Sequence, residues 1–271
     1  MTDPRPIQSD LPASPGLNRE PAVQVQNLTK EYPGGVQALG DLSFDMPKGE
    51  LTTIIGPSGC GKTTTLKIIA GLIEATSGEV TVEGRPVRGP GPERAFVFQD
   101  FALMPWATVL RNVAFGLELR GVGKKQREAV ARDYISRMKL KGFEDSYPHQ
   151  LSGGMRQRVG LARAMAVDAD ILLMDEPFAS VDEQIRRKFQ EDLLQLLSEE
   201  QKSVVFVTHS IEEAVYVSDQ IVILTRGPAR VSHIVRPDID RTGAAQGIRR
   251  SSVYLDCVET IWGELRNYLE E

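Results

Sequence analysis

Gly56, Gly61, Lys62 and Thr63 stand at the spacing G-x-x-x-x-G-K-[ST] within the run Ile54-Ile55-Gly56-Pro57-Ser58-Gly59-Cys60-Gly61-Lys62-Thr63-Thr64. These residue types suit one task, the holding of a chain of phosphates. Glycines at 56, 59 and 61 let the backbone wrap so that successive N–H groups turn inward toward an anion. A helix beginning here adds the partial positive charge of its N-terminus. Lys62 can reach the outer phosphates, and the Thr63 hydroxyl can ligate Mg²⁺. Residues 51–55 read as a buried strand and residues 64–70 as a helix ended by Gly71, the context such a loop needs. The expected contacts to a nucleoside triphosphate are Gly56, Pro57, Ser58, Gly59, Cys60, Gly61, Lys62, Thr63 and Thr64.

A second group follows downstream, where four apolar residues, Ile171-Leu172-Leu173-Met174, run into Asp175 and Glu176. An aspartate at the tip of a buried parallel strand can hold Mg²⁺ through water. Glu176 beside it can take the proton from an attacking water. Adjacent acids at a strand end are otherwise solvated turn residues, and the upstream phosphate loop is what favours the catalytic reading. A third group, Leu151-Ser152-Gly153-Gly154, precedes a helical stretch. Alone it is a helix N-cap with flexible residues, but it also forms a second anion-binding cup. One nucleotide cannot fill two cups of one chain if they lie far apart. A head-to-tail pair about a two-fold axis solves this, each chain closing the other's site.

The elements that must position these residues are legible in the periodicity. Val23 and Val25 alternate with polar residues, and Leu39, Leu42, Phe44 and Met46 mark a second strand closed by Pro47-Lys48-Gly49. Short strands are expected at 78–82 and 94–98. Between about 100 and 168 the pattern turns helical, with apolar stripes Val109/Val113/Leu117 and Val130/Tyr134/Met138. Strand and helix then alternate. Residues 203–208 form the continuous apolar run of a strand buried on both faces, a helix starts near Ile211, and residues 220–224 form another strand. Ile185, Phe189, Leu193 and Leu196 share one helix face, and Tyr254, Val258, Ile261, Leu265 and Leu269 mark a closing amphipathic helix.

Composition bounds the function. The chain has 271 residues, 41% hydrophobic and 25% charged, with a net charge of −5, so it lacks the basic footprint of a nucleic-acid binder. No run approaches the roughly 18 apolar residues needed to cross a bilayer. Residues 1–21 hold five prolines and no aromatic, which reads as a disordered leader and not a secretory signal. Two cysteines, Cys60 and Cys257, fit a reduced cytosolic setting.

With these groups in hand, residues 23–235 resemble the ATP-binding subunit of an ABC transporter. Residues 56–63 match the Walker A loop, 151–155 the signature, and 171–176 the Walker B strand with its catalytic glutamate. The resemblance further implies that Tyr32 stacks on adenine and that Gln99 touches Mg²⁺ and the attacking water. It makes His209 the switch histidine facing the γ-phosphate, and Ala179-Ser180-Val181-Asp182 the D-loop. There Val181 replaces the leucine of many members, and Asp182 is in place. Residues 99–106 and 113–121 look most like importers of the nitrate, sulfonate and taurine group, which includes bicarbonate importers.

The resemblance implies a P-loop α/β core, mostly parallel, with an antiparallel edge sheet and an inserted helical subdomain at about 100–160. The ATPase domain spans 22–235 and a C-terminal extension 236–271. The implied cofactors are ATP and Mg²⁺. The implied partners are a second copy of the chain, a transmembrane permease and, indirectly, a periplasmic solute-binding protein, with the subunit on the cytoplasmic face of the inner membrane. An exporter subunit and a non-transport ABC ATPase are the alternatives. Two further readings stay open. Cys60 is either a thiolate favoured by loop amides or an inert small residue. Phe101, Leu103, Met104, Pro105 and Trp106 either pack inside or form a docking surface.

Overall fold

The computed structural model describes residues 21–179, 183–241 and 245–268. The chain opens with two long antiparallel strands, β1 (Pro21–Tyr32) and β2 (Val36–Pro47), joined by the Pro33-Gly34-Gly35 turn. There follow β3 (Leu51–Ile55), α1 (Lys62–Ile69), β4 (Ser77–Val82), β5 (Arg85–Pro86) and β6 (Arg94–Val97). Three helices come next, α2 (Val109–Leu119), α3 (Lys124–Arg137) and α4 (Gly153–Ala166), with a 3-10 turn at Pro148–Gln150. The rest alternates: β7 (Ile171–Asp175), α5 (Glu183–Glu200), β8 (Ser203–Val207), α6 (Ile211–Val217), β9 (Gln220–Leu224), β10 (Val231–Val235), α7 (Ala245–Ile248) and α8 (Ser252–Arg266).

Two sheets result. One is antiparallel, in the order β2-β1-β4-β5, and the other runs β10-β9-β3-β8-β7-β6. In the second sheet β9, β3, β8, β7 and β6 are mutually parallel and β10 returns antiparallel at the edge. Every residue of β3, β7, β8 and β9 is buried, which explains their unbroken apolar runs, because layers cover both faces. Ile171, Leu173, Val205 and Val207 face α1 and the antiparallel sheet. Leu172, Met174, Val204 and Phe206 face the helices on the other side. The expected combination of parallel core, antiparallel sheet and helical stretch is present.

Three expectations need adjustment. On α3 the inward face is Ala131 and Ile135, while Val130 and Tyr134 are half-buried. Small Ala131 lets the helix close on its neighbours, and Tyr134 is held at the rim by donating its hydroxyl to Glu200 Oε1 at 3.0 Å. Strand β10 was not anticipated. It is an edge strand with Ser232 and His233 at its centre and Ile234 exposed, so no clean alternation marks it. Pro21, placed by the sequence in the leader, opens β1, and the remainder of that leader, with Leu269, lies outside the described residues.

Just beyond the acidic pair, Phe178 is fully buried between Phe189 of α5, edge-on at 5.4 Å between ring centroids, and Phe206 of β8 at 5.5 Å. Such aromatic triplets fix the path of the chain that leaves a strand tip. Phe178→Ala removes that wedge and should cost about 3–5 kcal/mol of stability. A urea titration checks this: the midpoint should fall while the slope stays constant.

Candidate functional site

The site lies at the C-terminal ends of β3, β8, β7 and β6, four neighbours in the parallel sheet. This edge is where open α/β sheets bind ligands. From β3 the chain turns through residues 56–61 into α1. Gly61 caps the helix at φ 113°, and a Cβ there would meet Leu39 Cδ2 at 2.7 Å and the Ala38 carbonyl at 3.0 Å. Glycine is thus demanded both by conformation and by close approach. Lys62 is buried, and its ammonium donates to the carbonyls of Gly56 and Pro57, each at 2.9 Å. The lysine therefore folds back over its own loop and holds the bend. Ser58 and Gly59 form the exposed crest.

Thr63 and Thr64, side by side on the first turn of α1, reach opposite partners. The Thr63 hydroxyl donates to Asp175 Oδ1 at 2.9 Å, and Thr64 Oγ1 lies 3.2 Å from the Tyr32 hydroxyl. Tyr32 ends β1 with its ring partly open to solvent, 36% exposed, and the Lys30 ammonium sits 5.3 Å from the ring centroid. A partly open aromatic face beside the phosphate loop is geometrically suited to stacking on a base.

Asp175 is the last residue of β7 and is buried. Burial pushes its carboxyl above the usual range; the Thr63 hydrogen bond opposes this and the neighbouring Glu176 charge adds to it. Thr63, Asp175 and Gln99 offer a hydroxyl, a carboxylate and an amide, all oxygen donors, the set that Mg²⁺ takes together with phosphate oxygens. Among the described residues no group of three or more His, Cys, Asp or Glu is arranged to hold a metal ion.

Glu176 adopts φ 44°, a left-handed conformation costing non-glycine residues about 1–3 kcal/mol. Its N–H donates to the Val207 carbonyl at 2.9 Å, which ties it to β8 despite the strain. One oxygen of its side chain, Oε2, meets His209 Nδ1 at 3.1 Å and accepts from Gln99 Nε2 at 3.4 Å. Residues separated by 77 and 33 positions thus converge on a single carboxylate oxygen.

Ser152 caps α4, its hydroxyl accepting from the Met155 N–H at 3.3 Å, and Gly153 and Gly154 form the first turn. Among the described residues no hydrogen bond joins residues 151–155 to the phosphate loop. Asp182 and the rest of its loop, residues 180–182, lie outside the described residues. Of the two readings of Cys60, the geometry supports the inert one. The side chain is 1% exposed, and burial pushes the thiol up against the lowering influence of Lys62. Cys60 can therefore offer a ligand its backbone alone. The 101–106 cluster divides: Phe101 is buried, Leu103 and Met104 are half-buried, and Trp106 is 73% exposed.

One neighbour escaped the sequence reading. A cavity of about 370 Å³ is lined by Gly56, Pro57, Ser58 and His209 together with Val258, Trp262 and Leu265 of α8. Periodicity identified that helix as amphipathic but carried no signal of what it faces. A larger cavity, about 830 Å³, opens at the opposite ends of the strands, near Gly49, Leu51 and Asp219, and touches none of the expected site residues.

A model of the family described as ABC transporter matches residues 39–179. An ABC transporter ATP-binding protein of Methanocaldococcus jannaschii is 52% identical over 222 residues, 81% of this chain and 83% of the relative. A taurine import ATP-binding protein, TauB, of Pseudomonas savastanoi pv. phaseolicola is 47% identical over 224 residues, 82% of this chain and 86% of its own length. Among solved structures, the chain resembles a dimeric ATP-binding cassette in a post-hydrolysis state bound to ADP and Pi. The TM-score is 0.71 and the identity 33%, over 79% of this chain and 98% of that one.

The upward push on Asp175 yields a signed prediction. A carboxyl raised in the folded state binds more protons there than in the unfolded chain. Its contribution is therefore most favourable at low pH and is lost as pH rises through the folded value. Asp175→Asn keeps an oxygen acceptor for Thr63 and removes the buried charge. In the absence of nucleotide and Mg²⁺ the variant should melt at a higher temperature than the parent at pH 7, with the gap closing toward pH 4. Its Mg²⁺-dependent hydrolysis should collapse. A lower melting temperature at pH 7 would show that the carboxylate is stabilising in the fold.

Proposed function

The chain belongs to the ABC transporter family as an ATP-hydrolysing subunit, and from that premise we propose that two copies sandwich two ATP molecules head-to-tail and drive import of a small anionic solute through a membrane permease. A sulfonate, nitrate or taurine is the solute class, in keeping with the taurine import relative. The observation that carries the site assignment is the convergence of Gln99 and His209 on Glu176 Oε2, one residue from the Thr63–Asp175 pair.

In this reading the inward N–H groups of residues 56–64 and the Lys62 ammonium hold the outer phosphates, and Tyr32 stacks on the base. Bound Mg²⁺ neutralises phosphate charge, with Thr63, Asp175 and Gln99 as the residues to hold it. Glu176 accepts a proton from water as the water oxygen bonds to the γ-phosphorus and ADP leaves. Gln99 and His209, both touching the same carboxylate oxygen, orient that base and the water. Ser152, Gly153 and Gly154 close the γ-phosphate side of the partner copy's site, with Asp182 beside it. This arrangement fits residues 151–155, which among the described residues no hydrogen bond ties to the phosphate loop of the same chain.

The domain assignment follows: an ATPase unit over 22–235, its helical subdomain at about 100–160, and an extension over 236–271. No helix among the described residues is long and apolar enough to cross a membrane, so in this reading transport needs a separate permease. Exposed Trp106, a short segment beyond Gln99, is the anchor we assign to that partner, on the cytoplasmic side, with a periplasmic solute-binding protein feeding the permease.

Glu176→Gln tests the base. Turnover should fall by about 10²–10⁴-fold while ATP binding persists, and the variant should run as an ATP-stabilised dimer in gel filtration. Near-parental turnover would remove Glu176 from the mechanism. Mixing a Lys62→Ala chain with a Gly153→Asp chain tests the head-to-tail arrangement. The mixture retains one intact composite site, so activity should appear where neither variant alone has any. A fully active isolated monomer would refute it.

A further inference from the structure

The extension after β10 is fastened to the segment that bears the switch histidine. His209 sits between the end of β8 and the Ser210 cap of α6. Arg241 donates to the Tyr216 carbonyl at 2.9 Å, and the Tyr254 hydroxyl of α8 donates to the Glu212 carbonyl at 3.2 Å, so α6 is gripped near both ends. Tyr254, Ile261 and Leu265 bury the inner face of α8. The helix is tied to β10 by His233 Nδ1 with Glu264 at 2.9 Å and by Ser232 with the Tyr268 hydroxyl at 2.8 Å. These ties place Trp262 at the wall of the 370 Å³ cavity, which Pro57, the crest residue Ser58 and the His209–Ser210 segment also line. The Arg266 guanidinium, 5.4 Å from the ring centroid, steadies the indole.

His209 needs such support. Its side chain is 59% exposed, and among the described residues its ring has one hydrogen-bond partner, Glu176 Oε2. An imidazole held at a single nitrogen can swing about two side-chain torsions, and catalysis falls steeply when a reacting group is misplaced. The indole is large and stiff, 46% exposed, and Trp262 lines the same cavity as His209, Pro57 and Ser58. We propose that Trp262 is a positioning residue for ATP hydrolysis: it narrows the cavity beside the phosphate-loop crest and so confines His209 to the orientation that serves Glu176. The inference rests on the reading of His209 as the residue facing the outer phosphate. It assigns the C-terminal helix a role in the chemistry, distinct from its burial of the neighbouring core.

The test uses the full chain. Trp262→Ala should lower kcat about tenfold while ATP affinity changes by less than about twofold, and Trp262→Phe should restore most of the rate. A purely structural role would instead lower the melting temperature and weaken ATP binding along with kcat, which would overturn the proposal. A spectroscopic arm separates the cases further. The chain has two tryptophans, so Trp106→Phe leaves Trp262 as sole reporter. Combined with Glu176→Gln to halt turnover, its emission should shift on adding ATP with Mg²⁺ and stay constant with AMP. An emission that ignores ATP, when dialysis shows ATP bound, overturns the proposal. His209→Ala, assayed alongside, keeps the two readings apart. If His209→Ala hydrolyses ATP normally, the histidine assignment itself falls. If His209→Ala is inactive and Trp262→Ala retains full kcat, the role of Trp262 alone falls.

Discussion

Parallel pairing in the centre of the sheet sets the geometry on which the site depends. Ile54 of β3 lies opposite Val207 of β8, and Val207 in turn lies opposite Asp175 of β7. Three strand ends are therefore level, and a different part of the candidate site emerges from each: the phosphate loop, His209 and the acidic pair. The Glu176 N–H extends the ladder by one more bond to the Val207 carbonyl. Because side chains alternate along a strand, a slip of one residue in β7 would send Asp175 away from Thr63. The unbroken burial of these strands prevents such a slip, since each face must match its own hydrophobic layer.

That rigid frame carries groups that are individually unfavourable. Asp175 is a buried carboxyl pushed upward, Glu176 sits at positive φ, and Lys62 is a buried ammonium satisfied by the carbonyls of the loop it belongs to. Each would be relieved or redirected by a ligand. Phosphate oxygens compete with carbonyls for the ammonium, and a cation reverses the penalty on the carboxylate. The deep core, with Phe178 wedged between Phe189 and Phe206 just beyond the acids, holds these groups in place.

The parts of the site legible in sequence were those whose chemistry is local. Gly61, Lys62 and Thr63 are neighbours, and the turn they make requires their residue types wherever it occurs. Asp175 and Glu176 announce themselves by ending an apolar run. The convergence of Gln99, Glu176 and His209 is different in kind, because pairing of β6 with β7 and of β7 with β8 creates it. No single segment holds that information; family resemblance singled out Gln99 and His209, but not their meeting on Glu176. The choice between the two readings of Cys60 was illegible for a related reason: inward amides and a nearby lysine argue for thiolate, but desolvation by burial outweighs both. Strand β10 and the inward face of α3 were obscured because edge position and a small alanine leave little mark on periodicity.

Helix α4 shows how distant parts of such a site are mechanically one. Its first turn carries Ser152 and Gly153, and its last turn leads within a few residues into β7 and the acids. Between them Arg163 donates to the carbonyls of Phe101 and Ala102, each at 2.7 Å, and both acceptors lie at positive φ just after Gln99. The backbone just after Gln99 is thus strained, and it is pinned to the same helix whose first turn carries Gly153 and Gly154. Gly160 of that helix faces Phe101, where a Cβ would make ordinary van der Waals contact with Phe101 Cβ at 3.5 Å. In the proposed head-to-tail pair, a partner copy pressing on the start of α4 would act through Arg163 on the segment that follows Gln99. A force on exposed Trp106 enters the same segment from its other end. In the proposed assembly, coupling between a membrane partner and the Glu176 carboxylate needs no long pathway. It needs one stiff helix, one arginine and a loop already held out of its relaxed conformation.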